Sequence, residues 1–226
     1  MLDLKSYLNR FLNVCRDVFG DRLIYVGLQG SQLRGEANAQ SDIDLMVVID
    51  RFTVQDMDVY RSILKRLGNA DKSCGFLCGK DELKRWNRLE VFQLLHTTKD
   101  LYGTLSALLP EATRADEIEY VRLSLGNLYH ELCHRYVHAD RELNVQKFRG
   151  SCKYLLFLVQ NLHYLESGTF VLKKRDLMEA VSAEDRAVLE LTELPDGFDF
   201  DSAFSILFSW CQRTFDRIER IANTEG

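Results

Sequence analysis

Long hydrophobic runs are missing from this sequence. No stretch of its 226 residues approaches the ~20 consecutive apolar residues that a membrane-spanning helix needs. The amphipathic start, MLDLKSYLNRFLNVCRDVF, lacks the basic end and continuous apolar stretch of a signal peptide. A cytoplasmic protein with no membrane partner is therefore expected. Cysteine is sparse as well. Cys15, Cys74, Cys78, Cys133, Cys152 and Cys211 stand mostly among apolar neighbours, without the dense spacing of a secreted disulfide scaffold, so reduced, buried thiols are expected. Cys74 and Cys78 have no matching second ligand pair, which argues against zinc. An excess of basic residues is also absent: 29 Lys and Arg against 34 Asp and Glu leave a net charge of −5. A protein that holds a nucleic-acid strand needs basic surface to neutralise phosphates, so no nucleic-acid partner is expected. The clusters Lys84-Arg85 with Arg88 and Lys173-Lys174-Arg175 are short, and read as solvated faces or as cations beside a phosphate site. No internal repeat, low-complexity tract or disordered linker interrupts the chain.

What is present centres on Leu23 to Asp50. An apolar run of strand length, Leu23–Leu28, breaks at Gly30-Ser31 and resumes after a polar loop as Ile43–Ile49, entered through Asp42-Ile43-Asp44. Strand side chains alternate, so Asp42 and Asp44 project to one side while Ile43 enters the core. Two carboxylates so close resist joint ionisation unless a cation sits between them, and hard ions such as Mg²⁺ take carboxylate oxygens. Gly30 permits close backbone approach, and Ser31 offers an N–H and a hydroxyl to an anion. Phosphate at the turn and metal at the carboxylates read as phosphoryl chemistry. The plainer alternative is a strand opening on a solvated acidic cap.

Around this stretch, apolar spacing predicts a first helix carrying Leu4, Leu8, Phe11, Cys15 and Phe19, and a second carrying Met57, Tyr60, Ile63, Leu64 and Leu67. A weak or edge strand is expected over Lys72–Gly79, a short helical piece over Lys80–Trp86, and a strand over Arg88–Leu95. From about Glu111 strand signals vanish. Helices are expected over Ile118–Val137, Val145–Leu165, Lys174–Val181, Ala183–Leu191 and Ser202–Ile221. This predicts an α/β N-terminal domain with a small mixed sheet, residues 1–111, and an all-α helical bundle, residues 112–226. The many apolar helix stripes are explained equally by homodimerisation and by packing within one chain.

Two-metal phosphoryl transfer works best with a third acid that binds the second ion or takes the acceptor's proton. Asp71, Asp81 and Glu90 are the choices. Glu90 is preferred because it opens an apolar segment of strand length and so reaches the same sheet edge as Asp42 and Asp44. His130, His134 and His138 recur every four residues, but at 1.5 Å per residue they spread over about 12 Å, too far for all three to reach one ion.

Gly30-Ser31, the loop from Gln32 to Ser41, and Asp42-Ile43-Asp44 inside an apolar strand resemble the signature of the DNA polymerase β-type nucleotidyltransferase superfamily. The resemblance implies Mg²⁺-dependent transfer of a nucleoside monophosphate from a triphosphate to an acceptor, with pyrophosphate leaving. Leu89-Glu90-Val91 and the helix end running from Tyr164 through Gly168 to Lys173 are similar to the aminoglycoside 3″-type adenylyltransferases. That likeness implies ATP as co-substrate, Glu90 as catalytic base and metal ligand beside Asp42 and Asp44, and Lys173 reaching the nucleotide phosphates with Gly30 and Ser31. The implied partner is a small-molecule hydroxyl. For a polycationic antibiotic, Glu117, Glu119, Glu131 and Asp140 are available to line the pocket. The alternatives are a protein side chain, as in antitoxin nucleotidyltransferases, and a non-catalytic nucleotide-binding module.

Overall fold

A computed structural model describes residues 3–68 and 70–224, and the chain divides into two compact units, Met1–Glu111 and Ala112–Gly226. In the first unit, helix α1 (Leu4–Phe19) starts at Asp3, whose side chain accepts the Ser6 N–H. Strand β1 (Leu23–Leu28), the short helix α2 (Gly30–Arg34), strand β2 (Ile43–Ile49) and helix α3 (Val54–Leu67) follow. Strand β3 (Ser73–Gly79), helices α4 (Lys80–Lys84) and α5 (Arg88–His96), and strand β4 (Lys99–Tyr102) complete it. The sheet order is β3-β2-β1-β4. β1 lies antiparallel to β2 and β4, and β2 lies parallel to β3, which makes the sheet mixed.

The alternation of β1 and β2 sorts their side chains. Val26, Leu28, Ile43, Leu45, Val47 and Ile49 pack with Tyr7, Phe11 and Cys15 of α1 and with Ile63 and Leu67 of α3. Tyr25, Met46, Val48 and Cys78 pack on the opposite face with Leu83, Leu105 and Leu108. β2 is covered on both faces, which is why it reads as a near-continuous apolar run. Asp44 has the parity of Met46 and Val48 and so lies on this second face.

Two expectations are corrected. Arg88–Leu95 is helix α5, so Glu90 sits in a helical first turn and opens no strand. The Asn87 side chain caps the helix by accepting the Leu89 N–H at 3.1 Å, and local capping together with the helix formers Leu, Glu and Gln outweighs the apolar look of eight residues. The remaining edge strand is instead the largely polar Lys99–Tyr102. Val145–Leu165 is also not one helix.

The second unit contains helices α6 (Arg114–His138), α7 (Arg141–Cys152), α8 (Leu155–Ser167), α9 (Lys174–Ala180), α10 (Ala183–Glu190) and α11 (Phe200–Asn223). The break between α7 and α8 falls at Lys153-Tyr154, just after Gly150, which weakens a helix interior. Thr113 and Asp116 form a reciprocal capping box at α6, and Gly168 in the left-handed conformation ends α8. Leu125, Leu132, Phe148, Leu155, Leu162, Leu177, Leu189, Leu207 and Trp210 lie in one core. Among the described residues, no helix is long and apolar enough to cross a membrane.

One buried charge is built into that core. Asp185 accepts hydrogen bonds from the Trp210 indole N–H at 2.7 Å, from Arg217 at 2.7 and 3.0 Å, and from the Ser182 hydroxyl at 2.8 Å. Burial by itself would push the Asp185 carboxyl up, but the Arg217, Trp210 and Ser182 hydrogen bonds outweigh it and the carboxyl is lowered. Its stabilisation is therefore complete above the ordinary carboxylate value near 3.8 and lost as pH falls through the depressed one. Asp185→Ala leaves the partly buried Arg217 with half its partners and is expected to cost about 3–5 kcal/mol. Chemical denaturation at pH 7 checks this, and the difference from wild type should shrink toward pH 2.

Candidate active site

The site forms where β1 ends and β2 begins. Leu28 pairs with Leu45, and the Gln29 N–H extends the ladder by donating to the Asp44 carbonyl at 2.8 Å. The chain must then leave the sheet at once. Gly30 does so with φ of +68°, a left-handed conformation that glycine adopts without steric cost. A Cβ at Gly30 would also collide with the Asp44 carboxylate. The missing side chain lets that carboxylate lie against the Gly30 backbone, with Ser31 next in the first turn of α2. Asp42 is exposed and Asp44 half-buried. The connecting loop is tethered by an Arg34–Glu36 ion pair at 2.8 Å and by Lys72, whose Nζ donates to the Ala39 carbonyl at 2.6 Å.

The other flank of Asp44 is a cysteine. β3 runs parallel to β2 with Cys74 directly opposite Asp44, and in-register neighbours share a face. Burial, followed by the negative charge of Asp44, pushes the Cys74 thiol pKa up. The side chain is nonetheless exposed, whereas Cys15, Cys78, Cys152 and Cys211 are buried as expected. From sequence Cys74 reads as a buried thiol or as half of an unmatched zinc pair. The signal that could have found it was the period-two placement of Cys74, Phe76 and Cys78 on a strand beside Asp44, Met46 and Val48.

The proposed third acids sit on other elements. Glu90 is exposed on α5 and accepts the Trp86 indole N–H at 2.6 Å, while Trp86 stands edge-on to Phe76 of β3 at 4.8 Å. Asp71 lies in a short turn of helix before β3, and Asp81 in the first turn of α4. Asp100 on β4, not considered from sequence, lies opposite Gly27 and accepts the Tyr25 hydroxyl at 2.6 Å. Among the described residues, no three His, Cys, Asp or Glu side chains could together hold a metal ion. That includes His130, His134 and His138, whose rings follow one another at 5.8 and 4.8 Å along α6.

In the second unit Lys173 is exposed and caps α9 from an extended conformation. The segment before it is pinned by buried Gln160, whose amide donates to the carbonyls of Val171 and Leu172 at 3.0 and 2.8 Å. Lys174, by contrast, pairs with Glu193 at 2.8 Å. The acids proposed for an antibiotic pocket have structural partners: Glu119 pairs with Arg122, Glu131 with Arg135 at 2.8 Å, and Asp140 caps α7. Glu117 is buried.

Residues 8–91, spanning the Gly-Ser turn and both aspartates, match the model of the nucleotidyltransferase domain family. The N-terminal part of this chain is similar to a nucleotidyltransferase domain. Over 58 residues it is 38% identical to a candidate protein adenylyltransferase of Methanocaldococcus jannaschii, a match covering 26% of this chain and 40% of that protein. The fold over 96% of this chain is shared with all of the spectinomycin adenyltransferase AAD(9) of Enterococcus faecalis, solved with ATP and spectinomycin, at a TM-score of 0.58 and 15% identity. A toxin–antitoxin structure with AMP-PNP covers 57% of the chain at 22% identity, with a TM-score of 0.32.

The contact between Gly30 and Asp44 makes a quantitative expectation. Gly30→Ala should destabilise the domain by about 1–2 kcal/mol from the left-handed backbone alone, and by more through the collision. In an Asp44→Ala background most of the collision is gone. The two substitutions should therefore couple by roughly 0.5–3 kcal/mol in a double-mutant cycle of urea unfolding. Additive costs would show that the carboxylate does not rest on Gly30.

Proposed function

We propose that this protein is an adenylyltransferase that transfers AMP from ATP to a hydroxyl group of a small molecule, releasing pyrophosphate. The observation that carries this is the pair Asp42 and Asp44 at the start of β2, with Asp44 held against a glycine that opens the Gly30-Ser31 turn. The nucleotidyltransferase domain match and the fold shared along the chain with an adenyltransferase support it.

The donor set fits Mg²⁺. This ion usually takes one or two protein carboxylates and completes its shell with substrate phosphates and water, so a cage of three side chains is not required. Asp42 and Asp44 would hold it, and when bound it would neutralise phosphate charge. The remaining work falls to the chain itself. The side chain missing at Gly30 leaves room for a phosphate next to the backbone, and the Ser31 N–H and hydroxyl donate to the outer phosphates. In transfer, the acceptor oxygen forms a bond to the α-phosphorus while the bond to pyrophosphate breaks in line. The transition state of such transfers is loose, and catalysis is mostly positioning and electrostatics.

A second reading, transfer to a protein side chain, is favoured by the 58-residue match to a candidate protein adenylyltransferase. A polycationic antibiotic as acceptor loses the support expected from the acids of the second unit, because Glu119, Glu131 and Asp140 serve ion pairs and a cap.

Calorimetric titration with ATP, CTP, GTP and UTP tests the proposal. ATP should bind only with Mg²⁺ present, and the Asp42→Ala/Asp44→Ala variant should lose at least about ten-fold in affinity, or ~1.4 kcal/mol. Pyrophosphate release with small-molecule alcohols against whole proteins then separates the two acceptors. If no triphosphate binds at millimolar concentration, the proposal fails.

A further inference from the structure

Asp44 has two flanks, and only one is explained by nucleotide chemistry. On the β1 side it meets the bare backbone of Gly30. On the β3 side it meets Cys74, which is in register on the same face of the sheet and exposed. A second divalent ion in phosphoryl transfer, about 3.5–4 Å from the first, shares ligands with it and needs further oxygen donors. Sheet geometry gives the position next to Asp44 on the same face to residue 74, and there the chain carries sulfur.

We infer that Cys74 restricts this site to one hard divalent ion per bound nucleotide, because a soft sulfur donor stands where a carboxylate would be needed to complete a second ion's shell. Mg²⁺ and Mn²⁺ are held by oxygen, whereas sulfur suits softer metals. The nearest alternatives by topology do not replace it. Asp100, on the far side of β1, is engaged by the Tyr25 hydroxyl, and Glu90 is engaged on α5 by Trp86. Cys74 stands directly across from Asp44 on the neighbouring strand, so it acts as a specificity-determining residue beside the first ion and leaves the Asp42 and Asp44 oxygens to hold it. The inference rests on the adenylyltransferase reading for the presence of a metal–nucleotide complex.

The test counts Mn²⁺ by the loss of its free electron paramagnetic resonance signal, on the full chain with equimolar non-hydrolysable ATP analogue, while analogue binding is measured separately by calorimetry. Wild type should take up one Mn²⁺ per chain. Cys74→Ser, close in shape, should also take one with affinity changed less than about three-fold, and Cys74→Asp should take two. Two ions in the wild type, a ten-fold weaker ion in Cys74→Ser, or one ion in a folded, analogue-binding Cys74→Asp would each overturn the inference while leaving the adenylyltransferase reading intact. Failure of the wild type to bind the analogue would overturn both. Should Cys74→Asp not fold, the wild-type count and the Cys74→Ser affinity still decide.

Discussion

The contact between the Asp44 carboxylate and the backbone of Gly30 can exist only if β1 and β2 lie antiparallel with Leu28 opposite Leu45. Much of the first unit serves that register. β2 is buried on both faces, and a one-residue slip of its pairing would move Ile43, Leu45, Val47 and Ile49 out of the α1–α3 layer together with turning Asp44 inward. Core packing and site geometry are thus enforced by the same pairing.

The charges at the two ends of this strand pair are treated differently. At the far end, Arg22 binds Asp56 at 2.9 and 3.1 Å, Asp50 at 3.0 Å and the Arg51 carbonyl at 2.6 Å. Hydrogen bonds from Arg22 bring the Asp56 carboxyl down to about 2, and the same carboxylate closes the Thr53 capping box of α3. In the second unit Asp185 is likewise enclosed by Arg217, Trp210 and Ser182. Asp42 and Asp44 have no such protein cation among the ion pairs formed by the described residues. Acids that hold the structure are matched by arginine, and Asp42 and Asp44 are not.

The strands β1 and β2 and the helices α1, α3, α6 and α11 were legible because each carries a long apolar pattern of one period. β4 was not, since Lys99-Asp100-Leu101-Tyr102 is short and polar and becomes a strand by pairing with β1. Arg88–Leu95 was misread because eight mixed apolar residues suit either period, and the deciding signal was the Asn87 cap. The division of α7 from α8 was missed for a similar reason, as apolar spacing continues across Lys153-Tyr154 while the backbone does not.

What the sequence by itself determined was the local chemistry of one strand–turn–strand unit. Gly30, Ser31, Asp42 and Asp44 are brought together by a short connection, so alternation and turn preferences were enough to place them. What only the tertiary structure decided was the neighbour of Asp44 on its other flank. β3 reaches β2 through a crossover that includes α3, and the register of a parallel pair is set by packing on both faces of the sheet. No spacing along the chain marks Cys74 as the strand neighbour of Asp44 or puts Glu90 in a helix, and the side-chain chemistry next to Asp44 follows from that long-range register.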